Sequence, residues 1–338
     1  MPIADIRSDL ILQVSGLSTS FFTSEGILRA VADINFNVRK GAVLGLVGES
    51  GCGKTVTALS VMRLVPDPPG RIVAGKVLFQ GTDLLTLTEK EMQSIRGKRI
   101  AMIFQEPMTS LNPVFTVGNQ IMEMLRLHLK MSKRDALDRT IQLLAQVGIP
   151  SPDQRVKEYP HQLSGGMRQR VMIAMAISCH PDLVIADEPT TALDVTIQAQ
   201  ILNLLKHLRE KLGMAMILVS HDLGVIAEVA DEVAIMYAGR IVEHTSTQEL
   251  FSNPLHPYTQ GLLASLPRFD LSSKHSGQLH HRRERLKAIS GIVPPLTNLP
   301  SGCSFHPRCP VAIEVCQKEE PELIEVSPGH KVRCWLAQ

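Results

Sequence analysis

Eight consecutive residues carry the strongest chemical signal. Gly48-Glu49-Ser50-Gly51-Cys52-Gly53-Lys54-Thr55 fits the pattern G-x-x-x-x-G-K-[ST]. The segment follows an apolar run at residues 42–47 and opens a helical pattern at residues 54–65. Its glycines let the backbone wrap closely, so several N–H groups point at phosphate oxygens. Lys54 supplies a point charge to the terminal phosphates, and Thr55 offers a hydroxyl to Mg²⁺.

Two further segments suit the same ligand. Residues 183–186 form a buried apolar strand that ends in Asp187 and Glu188. In a parallel sheet the C-terminal strand edge is where ligands bind. Asp187 is expected to hold Mg²⁺ through water, and Glu188 to act as general base on the attacking water. Leu163-Ser164-Gly165-Gly166-Met167-Arg168-Gln169-Arg170 precedes a second helix. Ser164 can cap it, and its glycines expose backbone N–H groups, which makes a second anion-seeking helix start.

The chain has six cysteines. Cys52 and Cys179 sit in apolar α/β sequence. Cys303, Cys309, Cys316 and Cys334 crowd the C-terminal end with spacing C-x₅-C-x₆-C-x₁₇-C. In a cytosolic chain such a cluster reads as a metal or iron–sulfur site before it reads as disulfides. The spacing matches neither a zinc ribbon nor the common ferredoxin form, so zinc, cluster and free thiols stay open on chemistry alone.

These residues need a scaffold. Strand-like runs alternate with helical patterns from about residue 10 to about residue 245, with strands at residues 98–104 and 214–219. The alternation predicts an α/β fold with a mostly parallel sheet, interrupted by a helical insertion that includes residues 117–148. Residues 270–287 are polar and basic, and the remainder is rich in Pro and Cys with little periodicity. Length and composition agree: 338 residues, 44% hydrophobic, suffice for one large domain plus an appendage. A net charge of +2 and 4% aromatics argue against a nucleic-acid coat or a base-stacking platform. No apolar run reaches the roughly 18 residues of a spanning helix, and Asp5 and Asp9 do not suit a secretory signal. A cytoplasmic chain is expected.

The octet LSGGMRQR, between the phosphate loop and the Asp187-Glu188 strand, resembles the signature motif of ABC ATPases. Other elements follow in the family's order. Gln105 resembles the Q-loop glutamine, Thr191-Ala192-Leu193-Asp194 the D-loop, and His221 the switch histidine. Phe21 resembles the aromatic residue that stacks on adenine. Alone, each of these is an ordinary surface, turn or core residue; the ordered set carries the likeness. The resemblance implies a P-loop NTPase fold of the ABC type with a helical subdomain at about residues 106–180. It also implies ATP and Mg²⁺ as ligands. Two such domains would face head to tail, with ATP between the phosphate loop of one and Ser164-Gly165-Gly166 of the other. Gln169 and Asp194 join this set, Thr55, Gln105 and Asp187 would serve Mg²⁺, and His221 would contact the γ-phosphate.

Finer stretches resemble the dipeptide/oligopeptide importer branch: FQEPMTSLNP at residues 104–113, YPHQ at 159–162, HPYTQGLL at 256–263 and GCSFHPRCP at 302–310. This likeness covers nearly the whole chain. It implies residues 1–266 as the nucleotide-binding domain, 267–288 as a linker, and 289–338 as a small Cys-rich extension. The implied partners are two integral-membrane permease subunits and a sister ABC ATPase or a second copy. An extracytoplasmic peptide-binding protein acts indirectly, and nucleic acid is not involved. The implied location is the cytoplasmic face of the inner membrane. For the four tail cysteines the resemblance implies a 4Fe-4S cluster, with Zn²⁺ as alternative. Two other functions compete: a soluble ABC ATPase not tied to transport, and a metal-binding regulator with an inactive ATPase fold. The intact Lys54, Asp187, Glu188 and His221 argue against the second of these.

Overall fold

The computed structural model describes residues 9–191, 193–266 and 289–337. The linker expected at 267–288 and Ala192 of the expected D-loop lie outside them. The elements in the first third are β1 (Leu10–Thr23), β2 (Gly26–Arg39), β3 (Val43–Val47), α1 (Lys54–Val61), β4 (Gly70–Phe79), β5 (Thr82–Asp83), α2 (Glu89–Ile95) and β6 (Ile100–Ile103). Helices α3 (Pro107–Ser110), α4 (Val117–Leu129), α5 (Lys133–Gln146), α6 (Pro152–Arg155) and α7 (Gly165–Ile177) follow without an intervening strand. The chain then alternates through β7 (Leu183–Asp187), α8 (Val195–Leu212), β8 (Ala215–Ser220), α9 (Leu223–Val229), β9 (Glu232–Tyr237) and β10 (Arg240–Ser246). It ends with α10 (Thr247–Ser252), α11 (Pro257–Ala264), α12 (Glu314–Lys318), β11 (Ile324–Ser327) and β12 (His330–Val332).

The main sheet has eight strands in the order β11-β12-β10-β9-β3-β8-β7-β6. Strands β9, β3, β8, β7 and β6 run parallel, while β10, β12 and β11 add antiparallel pairings at one side. The parallel strands are apolar on both faces, as burial between two layers demands. Along β3, Val43 and Val47 face one core, and Leu44 and Leu46 face the other. Gly45 sits between them because a Cβ there would come within 2.9 Å of Ile226 Cγ2 on α9.

Two departures from the sequence expectation stand out. First, β1, β2, β4 and β5 form a separate antiparallel sheet, in the order β2-β1-β4-β5, rather than part of the parallel one. Its strands carry apolar residues that pack against α1 and the second core, including Leu12, Val14, Leu17, Ile34, Phe36, Val77 and Phe79. Residues 117–148 are helical, as expected, and fall into two helices. Lys130 ends α4 in the left-handed region at φ 56°, and the Ser132 side chain caps α5 by accepting from Asp135 N. Second, the first helix is shorter than the pattern at 54–65 implies. It ends at Val61, and Arg63 turns with φ 52°.

The C-terminal residues join the body rather than stand apart. β12 pairs with β10, and Phe305 packs edge-on against Tyr237 at 5.2 Å and tilted against Tyr258 at 5.3 Å between ring centres. Each such aromatic pair adds about 0.5–1.5 kcal/mol beyond the area it buries. His330 Nε2 lies 2.8 Å from the fully buried Glu243 Oε1, whose carboxylate also accepts from the Leu255 and His256 amides.

Candidate nucleotide site

Parallel register builds the site. Val47 at the end of β3 is level with Ser220 of β8, Asp187 of β7 with Val219, and Ile103 of β6 with Ala186. The phosphate loop, Asp187-Glu188, His221 and Gln105 therefore all leave the same edge of adjoining strands.

The loop between β3 and α1 leaves no room for side chains at two of its glycines. A Cβ at Gly48 would lie 2.2 Å from the Met236 carbonyl oxygen, and one at Gly53 would lie 2.3 Å from that of Ala30. Gly51 and Gly53 also hold positive φ of 79° and 102°, which glycine adopts without strain. Lys54 is almost fully buried, and its Nζ donates to the Gly48 carbonyl at 2.7 Å and the Glu49 carbonyl at 3.1 Å. Ser50 lies exposed at the loop tip. Cys52 is buried beneath it, with its thiol pushed up by desolvation and eased back by Lys54.

Thr55 Oγ1 donates to Asp187 Oδ1 at 3.2 Å. Asp187 is buried, and desolvation raises its pKa to about 6, opposed by the Thr55 hydroxyl and Lys54. A hydroxyl and a buried carboxylate are hard oxygen donors, so this pair fits Mg²⁺. Next in sequence, Glu188 takes a left-handed backbone at φ 44°, a conformation that costs a non-glycine residue about 1–3 kcal/mol. Its carboxylate gathers two expected site residues, Gln105 and His221, and Thr191 of the stretch that resembles the D-loop. Gln105 Nε2 donates to Oε2 at 3.0 Å, Thr191 Oγ1 donates to Oε2 at 2.8 Å, and His221 Nδ1 lies 3.3 Å from Oε1.

The second glycine-rich helix start occupies another place. The Ser164 hydroxyl caps α7 by accepting from Met167 N at 3.3 Å, and the Asp194 carboxylate caps α8 by accepting from Ile197 N at 3.0 Å. A Cβ at Gly166 would approach Ile197 Cγ2 to 3.0 Å, so the starts of α7 and α8 abut. Ser164, Gly165 and Asp194 are exposed there. Gln169 is buried one turn into α7, and its Nε2 has no partner among the described residues. Phe21 is half-buried on β1, level with Leu28 of β2 and Gly70 of β4.

The four tail cysteines line one cavity with His306, a space of about 10 Å³ that suits a single water. Burial, with the neighbouring thiols adding, raises Cys303 to about 11, and burial likewise raises Cys309 and Cys334. Soft sulfur donors suit zinc or iron. The arrangement does not fit a cluster as it stands: among the described residues no group of three or more His, Cys, Asp or Glu is placed to hold a metal ion. The iron–sulfur expectation for Cys303, Cys309, Cys316 and Cys334 thus lacks geometric support.

Sequence reasoning missed what holds Glu49. Arg308 grips its carboxylate with both terminal guanidinium nitrogens, at 2.7 and 3.0 Å, across 259 positions of chain. No periodicity or spacing could have paired them.

A glycine-rich loop between a strand and a helix, with a buried lysine and an acidic strand end beside it, is the pattern of the P-loop nucleotide-binding class. Comparison with known proteins narrows this. A family model described as "ABC transporter" matches residues 31–191, and one described as "Oligopeptide/dipeptide transporter, C-terminal region" matches residues 242–316. The probable peptide ABC transporter ATP-binding protein y4tR of Sinorhizobium fredii is 51% identical over 329 residues, covering 97% of this chain and 96% of its own. The oligopeptide transport ATP-binding protein OppD of Bacillus subtilis is 52% identical over 331 residues, covering 98% of this chain and 90% of its own. A dimeric structure of the ATP-binding cassette MJ0796 bound to ADP and Pi superposes with a TM-score of 0.63 at 26% identity, over 70% of this chain and 98% of that one. The chain belongs to the family of ABC transporter ATP-binding proteins. It is an ATPase of that family, and among the described residues no helix is long and apolar enough to cross a membrane.

Proposed function

We propose that this chain is the ATP-binding and hydrolysing subunit of a bacterial importer for di- or oligopeptides. The observation that carries the ATPase mechanism is the convergence of Gln105, Thr191 and His221 on Glu188, beside the Thr55–Asp187 pair. On ATP binding, Lys54 exchanges the Gly48 and Glu49 carbonyls for phosphate oxygens. Thr55 and Asp187, with Gln105, would hold Mg²⁺, which would screen the phosphate charge. Glu188 takes a proton from the water that attacks the γ-phosphorus, and the β–γ bridging bond breaks to give ADP and phosphate. His221 stabilises the charge that develops there. Phe21 stacks on the adenine.

Ser164, Gly165, Gly166 and Asp194 serve the nucleotide of a facing subunit, either a sister ATPase or a second copy; Gln169, expected in this set, is buried one turn into α7 and does not present its side chain to a facing chain. The exposure of the abutting α7 and α8 starts supports that reading. ATP then favours the closed pair, and loss of the γ-phosphate releases it. The names of the relatives and the C-terminal family match support peptide cargo. In this reading two integral-membrane permease subunits receive the motion at the cytoplasmic face of the inner membrane, and a peptide-binding protein delivers cargo from outside. Residues 1–266 form the nucleotide-binding domain, and 289–338 form an extension that completes its sheet. Affinity purification of the full chain from detergent-solubilised membranes tests the transport role. The expected result is co-purification of two integral-membrane proteins; a chain recovered without any from such membranes contradicts it.

For the tail cysteines, the soft-donor chemistry of four thiols is the one support for a 4Fe-4S cluster; their placement does not fit it without rearrangement. Iron and acid-labile sulfide analysis after anaerobic purification is the test. Iron and sulfide in equal amounts are expected; stoichiometric zinc without visible absorbance overturns the cluster.

A further inference from the structure

The C-terminal segment reaches into the phosphate loop. Arg308 lies in a turn bounded by two of the tail cysteines, where His306 N donates to the Cys303 carbonyl and Cys309 N to the His306 carbonyl. Its side chain is 5% exposed. Nη1 and Nη2 donate to the two Glu49 carboxylate oxygens at 2.7 and 3.0 Å. Nε donates to the Ser290 carbonyl at 3.0 Å. The guanidinium also lies 5.7 Å from the centre of the Tyr237 ring and 6.0 Å from that of Phe305. A two-point grip of this kind fixes direction as well as distance, which a lysine cannot do.

Glu49 is gripped at its other atoms too. Its backbone N–H donates to the Tyr258 hydroxyl at 3.1 Å, and its carbonyl accepts from Lys54 Nζ at 3.1 Å. Tyr258 packs against Tyr237 and Phe305, so the same aromatic group supports both holds. Glu49 is therefore the point where the tail, α11 and the catalytic lysine meet. Its charge matters as well. An unpaired carboxylate in a loop built to receive a triphosphate would repel that ligand, and Arg308 neutralises it.

We propose that Arg308 is a positioning residue for nucleotide binding: through its two-point grip on Glu49 it sets the phosphate loop and cancels a misplaced negative charge, so that ATP affinity depends on a docked C-terminal tail. The inference rests on the nucleotide site proposed above. It assigns the tail a part in the ATPase cycle.

The test is calorimetric titration of full-length protein with Mg-ATP, together with KM and kcat for hydrolysis. The set is the parent, Arg308→Ala, Arg308→Lys and the double variant Arg308→Ala/Glu49→Gln. Arg308→Ala is expected to weaken ATP binding by about tenfold, the scale of a lost charge-assisted hydrogen-bond pair, with KM rising more than kcat falls. Arg308→Lys recovers part of the loss by restoring the charge. The double variant recovers part by removing the carboxylate left unpaired, a rescue that a purely structural role for Arg308 does not produce. If Arg308→Ala does not fold, Arg308→Gln takes its place in both comparisons. ATP affinity equal to the parent's, or a double variant no better than the single one, overturns the inference. A parent that binds nucleotide alongside unaffected Arg308 variants leaves the site standing and removes only the grip. A parent that binds none removes both.

Discussion

Glu188→Gln is expected to bind ATP and to hydrolyse it about 10²–10⁴-fold more slowly than the parent, the usual contribution of a positioned general base. The replacement keeps the size and planarity of the side chain. One carboxylate oxygen survives to accept from Thr191 or Gln105, so the β7 edge keeps its shape. What is lost is the capacity to take a proton from water. Because the γ-phosphate then persists, the variant is also expected to accumulate as an ATP-dependent closed pair. Size-exclusion chromatography with and without Mg-ATP, beside a phosphate-release assay, reads both effects. Turnover at the parent rate would remove Glu188 from the role of base.

Lys54→Ala is expected to lower turnover by roughly 10²–10³-fold, the scale seen when a preorganised donor to developing negative charge is removed. The structure gives this a second component. Lys54 Nζ ties the Gly48 and Glu49 carbonyls together inside a nearly closed loop. Its removal leaves both acceptors without that donor and the loop without its internal brace. Nucleotide affinity should therefore fall along with kcat, which separates this variant from Glu188→Gln. Measured affinity equal to the parent's would contradict the placement of Lys54 at the terminal phosphates.

Much of the site was legible in the sequence, because its parts are local. A glycine-rich turn and a helix start make the phosphate loop within eight residues, directly after β3. A buried strand ending in Asp187 and Glu188 points to the sheet edge. What joins these parts is parallel register, and the alternating apolar runs imply it. The antiparallel sheet was not legible as a separate body. Its strands carry the same apolar–polar alternation as other half-buried strands, and only pairing partners distinguish them. The break in residues 117–148 was missed because helical periodicity runs on both sides of Lys130. The tail shows the firmest limit. Its strands are three and four residues long, too short for periodicity to register. The Arg308–Glu49 grip joins residues far apart along the chain, which no local pattern encodes. The cysteine spacing told that four thiols could meet, and they line one cavity, yet their placement at that cavity does not make a ligand cage.

The central claim is that the loop at residues 48–55 holds the triphosphate of Mg-ATP. Equilibrium titration of the full-length chain with Mg-ATP, run beside Lys54→Ala, tests it most directly. Saturable binding by the parent that is lost or strongly weakened in the variant is the predicted result. No binding by the parent, or binding undiminished by loss of the lysine, would contradict it.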